Sequence, residues 1–438
     1  MSSILLLALT ASLVSCEQDS VSGVVTVRYE LDEPAVVTVD FQTKSAEGAW
    51  TSIGAENFTT LAGDVNRYVK PPTDGAEGLW LRWAAANDWP DHAFGATDFR
   101  AVLTAWPTND PPRYMAVDLG AKLGSTREHT PVRYYVSSNA VPGGVLDNRY
   151  RRSFLLMRKI ECAGKVFRRG CNFTETAYGN TRIAPTLAKL TKNFYMSVYP
   201  LTGGYGRMTG NSYGVLDPST SLDPELKPRM GDAMYYNLLR GDGCDWPKDG
   251  DAVGGFMATL RNLVDGKILF DLPLEAQYEF AAQGGFDTSL GTGKRFNENC
   301  GETNMVYETC WLTENKDDGS DPEFPAGGNV RHPHSVGLKL PNGYGLYDMQ
   351  GNGRSRCRDW WVEDLSTVTD DLDADGVHVD PIGPTSNASG YRSGHGSSWD
   401  APVGNRDWQT WSRFPLSTNG DYNYTGARVV CPALAPDL

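Results

Sequence analysis

The sequence predicts an α+β protein in which an all-β sandwich domain precedes a larger domain of short strands, few helices and long loops. Three observations predict this fold class. Period-two runs of β-branched residues fill the first third of the chain, and the pattern becomes irregular from about residue 153. The 47 Gly, 26 Pro, 12 Trp, 20 Tyr and 15 Phe are typical of turn-rich, strand-rich folds. The 438 residues suffice for two or three domains.

Residues 1–16 have the layout of a bacterial export signal. The apolar run from Ile4 to Val14 is too short to span a membrane, and it leads through small residues to Cys16. The segment Leu13-Val14-Ser15-Cys16 resembles a lipobox, although no Lys or Arg precedes the apolar run. We therefore expect an exported protein with Cys16 lipidated, anchored at the bacterial outer membrane or cell surface. Plain export or a truncated start is the alternative.

Residues 23–137 are predicted to form an all-β sandwich of immunoglobulin or fibronectin type. The runs "VVTVRYEL" and "VVTVDFQT" alternate with period two, and "LWLRWAAA" and "FRAVLTAW" continue the pattern. Clusters of Pro, Asp and Gly separate these runs, as expected for the turns of a sandwich. The turn-rich residues 138–152 are predicted to be a linker.

From residue 153 the predicted strands are short, among them "FLLMRKI" and "KILFDLP". Two stretches predict helices, "PRMGDAMYYNLLRG" and "LEAQYEFAAQGG", the second of which ends in a Gly-Gly stop. Long irregular loops are predicted at 285–340 and 362–398. Loops of this length are usually functional or held by metals or disulfides.

Charge and cysteine content limit the partners. The net charge of −14 argues against a nucleic-acid partner and leaves a lipid anchor as the expected route to a membrane. Spacing permits disulfides between Cys162 and Cys171, Cys300 and Cys310, and Cys357 and Cys431, but connectivity is not readable from sequence. An odd number of cysteines would remain after lipidation of Cys16, which permits self-assembly. No CxxC motif occurs, so no structural zinc site is expected.

The acidic stretch "DDLDADGVHVD" is a candidate calcium site. Asp371, Asp373 and Asp375 alternate before Gly376, which permits the sharp turn of an oxygen-rich loop. It is not an EF-hand, because Ile382 stands where the bidentate Glu would be. A solvated acidic turn without a metal is the alternative.

Five segments occur in an order that resembles the formylglycine-generating enzyme, or sulfatase-modifying factor, family. They are "FYMSVYPLT", "LPLEAQYEFAAQGG", "PNGYGLYDMQGN", "GHGSSW" and "GARVV". The resemblance covers about residues 155–431. It implies a variant of the C-type lectin fold for residues 153–438, with few helices, short twisted strands and extensive irregular structure.

The resemblance also implies where this chain departs from the family's chemistry. Catalytic members bind copper through two cysteines shortly after the Gly-Ser-Trp segment, and residues 396–414 contain no Cys. No copper and no formylglycine-generating activity are therefore expected. An iron site would need converging histidines such as His332, His334, His378 and His395. Arg354-Ser355-Arg356 replace a family Trp-Glu-Trp after Asn352, which removes a carboxylate from the inherited calcium site.

The window 400–425 is the predicted ligand-binding face. In non-catalytic members that are targets of diversity-generating retroelements, variable residues lie between the Gly-Ser-Trp and a final Gly-x-Arg. Aromatic and short polar side chains suit such a surface. The candidate residues are Asp400, Asn405, Trp408, Thr410, Trp411, Ser412, Phe414, Asn419, Tyr422, Asn423 and Tyr424. We expect a non-catalytic, exported protein that binds a protein or glycan; a structural surface or filament subunit and a metal-dependent oxidase are the alternatives.

Overall fold

The computed structural model describes residues 9–95, 97–121, 130–170, 185–208, 224–228, 239–240, 255–293, 303–322, 326–327, 333–384, 390–418 and 424–438. In these residues the fold is mixed α and β, mostly sheet with few helices. None of the described helices has the length and apolar character that a membrane span requires. Residues 1–147 with 433–438 form one compact unit and residues 148–432 form a second. The boundary falls inside the predicted linker 138–152.

The first unit is built almost entirely of antiparallel strands. They are β1 (Ala11–Gln18), β2 (Val24–Leu31), β3 (Ala35–Lys44), β4 (Trp50–Ser52), β5 (Leu61–Gly63), β6 (Arg67–Val69), β7 (Leu79–Ala84), β8 (Phe99–Pro107), β9 (Tyr114–Asp118) and β10 (Val132–Tyr135). A short helix α1 (Ala85–Asp88) and a 3₁₀ turn (Ala55–Asn57) connect them. One sheet has the order β1-β2-β7-β5, a second has the order β4-β3-β6 with β8 also on β3, and β9 pairs with β10.

The two larger sheets of the first unit share one apolar core. Val27 on β2 and Trp83 on β7 are fully buried together with Phe41 on β3. The Phe41 ring stacks on Trp83 at 4.8 Å and on Phe99 at 5.4 Å between ring centroids. Alternate residues of each strand therefore point into this core, as the period-two runs predicted. The immunoglobulin or fibronectin assignment stays a prediction.

Cys16 lies within β1, opposite Val27 of β2. Its side chain is half-buried against the core of the first unit. Burial raises the pKa of the Cys16 thiol to about 11. The structure thus places Cys16 in a paired strand, and its lipidation stays a prediction.

The second unit contains the remaining elements. The helices are α2 (Arg149–Arg152), α3 (Gly203–Met208), α4 (Gly255–Leu263), α5 (Glu275–Gln283) and α6 (Thr303–Thr309). The strands are β11 (Phe154–Ile160), β12 (Val166–Arg169), β13 (Thr186–Lys189), β14 (Phe194–Ser197), β15 (Arg354–Trp360), β16 (His378–Val379), β17 (Tyr391–His395), β18 (Arg413–Ser417), β19 (Thr425–Ala427) and β20 (Val430–Pro432). Short 3₁₀ turns occur at Pro224–Leu226, Leu365–Thr367 and Val403–Asn405.

Three small sheets surround α5 in the second unit. β14 pairs antiparallel with β11 and β20. β13 pairs antiparallel with β12 and parallel with β16. The third sheet has the order β18-β17-β15-β19, with β15 parallel to β19 and the other pairs antiparallel. Strand β15 of this third sheet begins at Arg354. It therefore contains Arg354-Ser355-Arg356, the segment that departs from the family pattern.

Helix α5 is the centre of the second unit's core, and its helical prediction is confirmed. Tyr278, Ala281 and Ala282 pack against apolar residues from β11, β14 and β20. The helix ends at Gly284, which has a positive φ of 64°. A Cβ at Gly284 would lie 2.1 Å from the carbonyl oxygen of Gly291, so the stop requires glycine.

Two other element predictions have different outcomes. The predicted helix 228–241 lies almost entirely outside the described residues. The predicted strand "KILFDLP" is wrong, because this segment is irregular apart from a single antiparallel bridge between Asp271 and Val430.

Candidate functional site

The predicted ligand-binding window divides into exposed and buried residues. Asp400 and Asn405 are exposed and Tyr424 is half-buried. Five residues expected on the surface are instead buried, namely Trp408, Thr410, Trp411, Ser412 and Phe414. Three others, Asn419, Tyr422 and Asn423, lie outside the described residues. The candidate face in the described part of the chain is therefore smaller and more polar than the sequence predicted.

Trp408 is a core residue rather than a surface contact. It is fully buried and packs with Leu290, Val306, Leu312 and Cys310 in one apolar cluster. Its indole Nε1 donates a hydrogen bond to the carbonyl oxygen of Val403 at 2.9 Å. A buried indole needs such a partner, so Trp408 fixes the loop around it to the core.

The rest of the 400–412 loop is held by its own polar groups. Thr410 Oγ1 donates to the carbonyl oxygen of Thr288 at 2.9 Å, and Ser412 Oγ donates to that of Arg406 at 3.1 Å. The backbone N–H of Val403 donates to Glu314 Oε2 at 2.9 Å. Of the hydroxyls predicted to contact a ligand, that of Ser412 thus bonds within the loop and that of Thr410 ties the loop to the segment at Thr288, so that Asp400 and Asn405 lie on a fixed support.

Arg354, the first of the two departing arginines, joins this face. Its guanidinium lies 4.0 Å from the Phe414 ring centroid and 5.0 Å from that of Tyr424. Its Nη2 is 2.9 Å from Asp407 Oδ2. Burial raises the pKa of the Asp407 carboxyl, although Arg354 opposes the shift. Cation–π contacts with both rings and the ion pair with Asp407 together fix the position of the cation.

Arg356, the second of these arginines, has a structural role. It is fully buried, and its Nη1 donates to the carbonyl oxygen of Ser417 at 2.6 Å. Ser355, the residue at the Glu position of the family pattern, is buried in β15 opposite His395. The Arg-Ser-Arg sequence therefore belongs to a packed sheet.

A buried ionic network lies beneath the third sheet, around Glu275 at the start of α5. Glu275 Oε2 accepts a hydrogen bond from Arg413 Nη2 at 2.8 Å and lies 3.3 Å from Arg169 Nη2. Its other oxygen contacts Arg413 Nε and, at 3.2 Å, His395 Nε2. Burial alone raises the pKa of Glu275, but Arg413, His395 and Arg169 hold it well below its usual range.

Two more carboxyl groups complete this network. The backbone N–H of Glu275 donates to Asp359 Oδ2 at 2.6 Å, which caps the first turn of α5. Glu279 Oε1 accepts from the backbone N–H of Gly170 at 2.7 Å, and its Oε2 lies 3.5 Å from Arg169 Nε. Burial raises the pKa of Glu279, and burial with the nearby Glu275 raises the pKa of Asp359 from 3.8 to about 7.

The raised pKa of Asp359 predicts a pH-dependent stability. Between its unfolded and folded pKa values the native state holds one more proton than the unfolded state, so stability falls as pH rises from about 4 to about 7. We expect Asp359→Asn to reduce this fall, because the amide keeps an acceptor for the Glu275 N–H and cannot ionise.

Scanning calorimetry at several pH values from 5 to 8 checks the prediction. Glu161→Gln, at an exposed position, is the control and should follow the wild-type pH dependence. Parallel curves for Asp359→Asn and wild type would show that Asp359 is not the titrating group.

The acidic turn has contacts that compete with a metal. Asp371 Oδ1 lies 2.6 Å from His378 Nδ1. Asp373 Oδ1 accepts from the backbone N–H groups of Asp375 and Val377, both at 3.0 Å, and its Oδ2 lies 3.2 Å from Lys189 Nζ. The hydrogen bond from the Val377 N–H makes the largest contribution to lowering the pKa of Asp373. Among the described residues, no group of three His, Cys, Asp or Glu side chains converges as a metal site.

Calcium binding by this turn stays a prediction with a direct test. We expect CaCl₂ to raise the melting temperature of the wild type and not that of Asp375→Asn, because calcium binding by this loop would require its carboxylates. Equal shifts with MgCl₂, or no shift at all, would assign the stretch to a solvated acidic turn.

The histidines and cysteines are dispersed. In the described chain His334 stacks on Trp311 at 3.6 Å and lies beside Asp321, while His378 and His395 pair with other carboxylates; His332 lies outside it. Cys162, Cys310, Cys357 and Cys431 are free, buried thiols, so the suggested disulfide between Cys357 and Cys431 is not formed, while Cys171 and Cys300 of the other two suggested pairs lie outside the described residues. Burial raises the pKa of Cys162 and Cys310 to about 12. Such thiols are poor nucleophiles and poor metal ligands.

Sequence reasoning missed the Glu275 network and the stacked Arg354. A signal for the network existed, since Glu275 and Glu279 stand one helical turn apart in a helix whose other residues are mostly apolar, Gln277 and Gln283 excepted. Carboxylates on a buried helix face require cationic partners. The sequence does not show that Arg169 and Arg413 provide them.

Comparison with known proteins defines the family. Residues 158–430 match the family model described as the sulfatase-modifying factor enzyme 1-like domain, which is more than half of the chain. The chain therefore belongs to this family, and the resemblance found in the sequence is confirmed.

Individual relatives are distant. The formylglycine-generating enzyme of Thermomonospora curvata is 30% identical over 118 residues, which are 26% of this chain and 33% of that enzyme. The chain thus spans about a third of that relative's length. Variable protein 1 of Treponema denticola aligns over 64% of this chain and 96% of its own, with 18% identity and a TM-score of 0.44. PvdO from Pseudomonas aeruginosa aligns over 63% and 94%, with 17% identity and a TM-score of 0.43.

Proposed function

We propose that this chain is a non-catalytic member of its family that binds a protein or glycan through the exposed part of the 400–425 window. The observation that carries the proposal is the state of the 396–414 segment. It has no Cys for copper, and its aromatic residues Trp408 and Trp411 fill the interior. Hydrogen bonds within the loop and to the carbonyl oxygen of Thr288 fix this loop, and Asp400 and Asn405 are exposed to solvent.

The exposed face suits recognition by hydrogen bonding. Asp400 and Asn405 offer exposed donors and acceptors, and the half-buried ion pair of Asp407 and Arg354 and the half-buried Tyr424 add partly exposed polar and aromatic surface. A support that is already ordered lowers the entropy cost of binding. We further propose that the protein is exported and lipid-anchored at Cys16, and that residues 400–425 include hypervariable positions as in targets of diversity-generating retroelements.

A printed glycan array probed with the full chain tests the binding role. We expect the double variant Asp400→Ala, Asn405→Ala to lose about tenfold or more in affinity for any glycan retained by the wild type. The matched control Glu161→Ala, Lys165→Ala changes two exposed residues outside the window and should bind normally. Equal loss in both double variants would contradict a role for this face.

A second experiment tests the absence of catalysis. The purified protein is loaded with copper(I) and incubated with a cysteine-containing sulfatase peptide, and the peptide is analysed by mass spectrometry. We expect neither stoichiometric copper retention nor a formylglycine product, since a single thiol cannot replace the thiolate pair. Aldehyde formation would make the chain an oxidase and overturn the proposal.

A further inference from the structure

A cavity of about 250 Å³ lies in the first unit, beside a gap in the pairing of β3. β4 pairs with residues 42–44 of β3 and β6 pairs with residues 35–37, so neither strand pairs with residues 38–41. The gap arises because β5, which lies between β4 and β6 in the sequence, pairs with β7 of the other sheet. Thr38, Val39 and Asp40 of this gap line the cavity.

The backbone of Val39 faces this gap. On the same side of β3, the carbonyl oxygen of Val37 accepts from the N–H of Asn66 at 2.7 Å. The carbonyl oxygen of Phe41 accepts from the N–H of Ile53 at 2.9 Å. Backbone groups of successive residues alternate between the two sides of a strand, so the N–H and C=O of Val39 point to the side that Val37 and Phe41 use.

Among the described residues, the N–H and C=O of Val39 have no hydrogen-bond partner on that side of the strand. The residue is buried, with 8% of its surface exposed. Buried backbone groups are nearly always paired with protein, water or a ligand. The gap therefore leaves one donor and one acceptor available to a molecule in the cavity.

Asp40 is the one charged residue among the described residues that line the cavity. Its Oδ1 accepts from Ser52 Oγ at 2.6 Å, and its Oδ2 accepts from Gln42 Nε2 at 2.9 Å. Both donors are neutral, and no ion pair among the described residues includes Asp40. A carboxylate oxygen accepts more than one hydrogen bond, so Asp40 keeps capacity for a further donor.

Two cations on strands of the same sheet have other partners. Arg100 donates to Gln42 Oε1 from Nε at 2.9 Å and from Nη2 at 2.7 Å, and its guanidinium lies 4.3 Å from the Trp50 ring centroid. Lys44 Nζ lies 5.7 Å from the same centroid. Neither residue lines the cavity, so the charge of the described lining is negative and favours a cation.

We propose that this cavity binds a small primary ammonium compound with an apolar body. An ammonium group has three donors, of which the Asp40 carboxylate and the Val39 carbonyl oxygen accept two. The apolar body packs against Phe58, Leu61 and Pro142, which also line the cavity. A cavity of about 150 Å³ holds a benzene ring, so the volume suffices for a ring with a short amine arm.

Isothermal titration of the full chain with benzylamine at pH 7 tests this site against two comparison probes. Benzyl alcohol has the same ring without the charge, and methylammonium has the charge without the ring. We expect benzylamine to bind about tenfold or more tightly than either probe, and added salt to weaken it. Benzyl alcohol binding as tightly would overturn the ammonium assignment, and methylammonium binding as tightly would overturn the apolar one. No benzylamine binding would overturn the site.

Variants of the lining identify the residues. Asp40→Asn should weaken benzylamine about tenfold and leave benzyl alcohol unchanged, since the amide keeps the volume and an acceptor but not the charge. Glu30→Gln removes the same charge at an exposed position outside the lining and should bind like the wild type. Equal benzylamine affinity of Asp40→Asn and the wild type would overturn the role of Asp40.

A third variant tests the location. Ala140 is half-buried in the lining, and Ala140→Leu should weaken benzylamine about tenfold because the larger side chain occupies part of the cavity. Circular dichroism checks that each variant is folded. A folded Ala140→Leu protein with wild-type affinity would place the ligand elsewhere. The site lies in the first unit and is independent of the 400–425 window, so failure of either proposal leaves the other standing.

Discussion

Replacing Glu275 with Ala should lower the free energy of unfolding of the second unit by about 3–5 kcal/mol, the usual cost of removing one partner from a buried ion pair. Glu275 contacts Arg413, Arg169 and His395, all of them buried. Without its carboxylate the two guanidiniums remain in the interior with less compensating charge. Glu275→Gln should cost less than Ala, because the amide retains an acceptor and most of the volume.

Native-state hydrogen exchange followed by mass spectrometry measures this loss on peptides from 272–285, which report the second unit directly. Asp287→Ala is the control, since Asp287 is 58% exposed in its pair with Arg168 at 2.7 Å. Exposed pairs contribute about 0–1 kcal/mol, so this variant should resemble the wild type. Similar losses in both variants would show that burial of the network does not set its strength.

Replacing Trp408 with Ala should destabilise the second unit by about 3–5 kcal/mol, the range for large-to-small aromatic changes in a core. The indole fills the cluster with Leu290, Val306 and Leu312 and donates to the Val403 carbonyl. Its loss leaves a cavity and a loop without its attachment. A ligand-contacting tryptophan on the surface would instead cost little stability.

Urea unfolding monitored by exchange on peptides from 303–322 measures this effect, since this segment supplies much of the cluster. Asn405→Ala, in the same loop but exposed, should change stability by less than about 0.5 kcal/mol. The two variants distinguish a core role from a surface role for residues of the same 400–425 window. If the Trp408→Ala protein were as stable as the wild type, Trp408 would be a surface residue and not a core residue.

Local sequence patterns predicted much of the fold. β2 coincides with the run "VVTVRYEL", β11 with "FLLMRKI", and α5 lies within "LEAQYEFAAQGG". β2 alternates with period two, β11 is a short and mostly buried apolar run, and α5 is buried on most sides and ends at a glycine stop. "KILFDLP" has a similar apolar pattern but lies where Asp271 alone bridges to Val430, so tertiary context overrides its strand propensity.

The candidate site was less predictable, for two physical reasons. Interleaved aromatic and polar residues occur both in contact surfaces and in loops packed over a core, so the burial of Trp408 and Trp411 could not be read from the pattern. The Glu275 network joins Arg413 to a residue 138 positions away. Only the paired sheets bring those charges together, and one sequence carries no signal for that distance.

Because Cys16 lies within β1, cleavage of the chain just before Cys16 would remove part of a strand that pairs with β2. A protein processed to begin at Cys16 would lack Ala11–Ser15 and keep three of the seven residues of β1 that pair with β2. Most backbone donors and acceptors on that side of β2 would then lack partners, and such open edges recruit strands from other chains. Lipid anchoring at this residue would therefore create a site for strand exchange that the unprocessed chain covers.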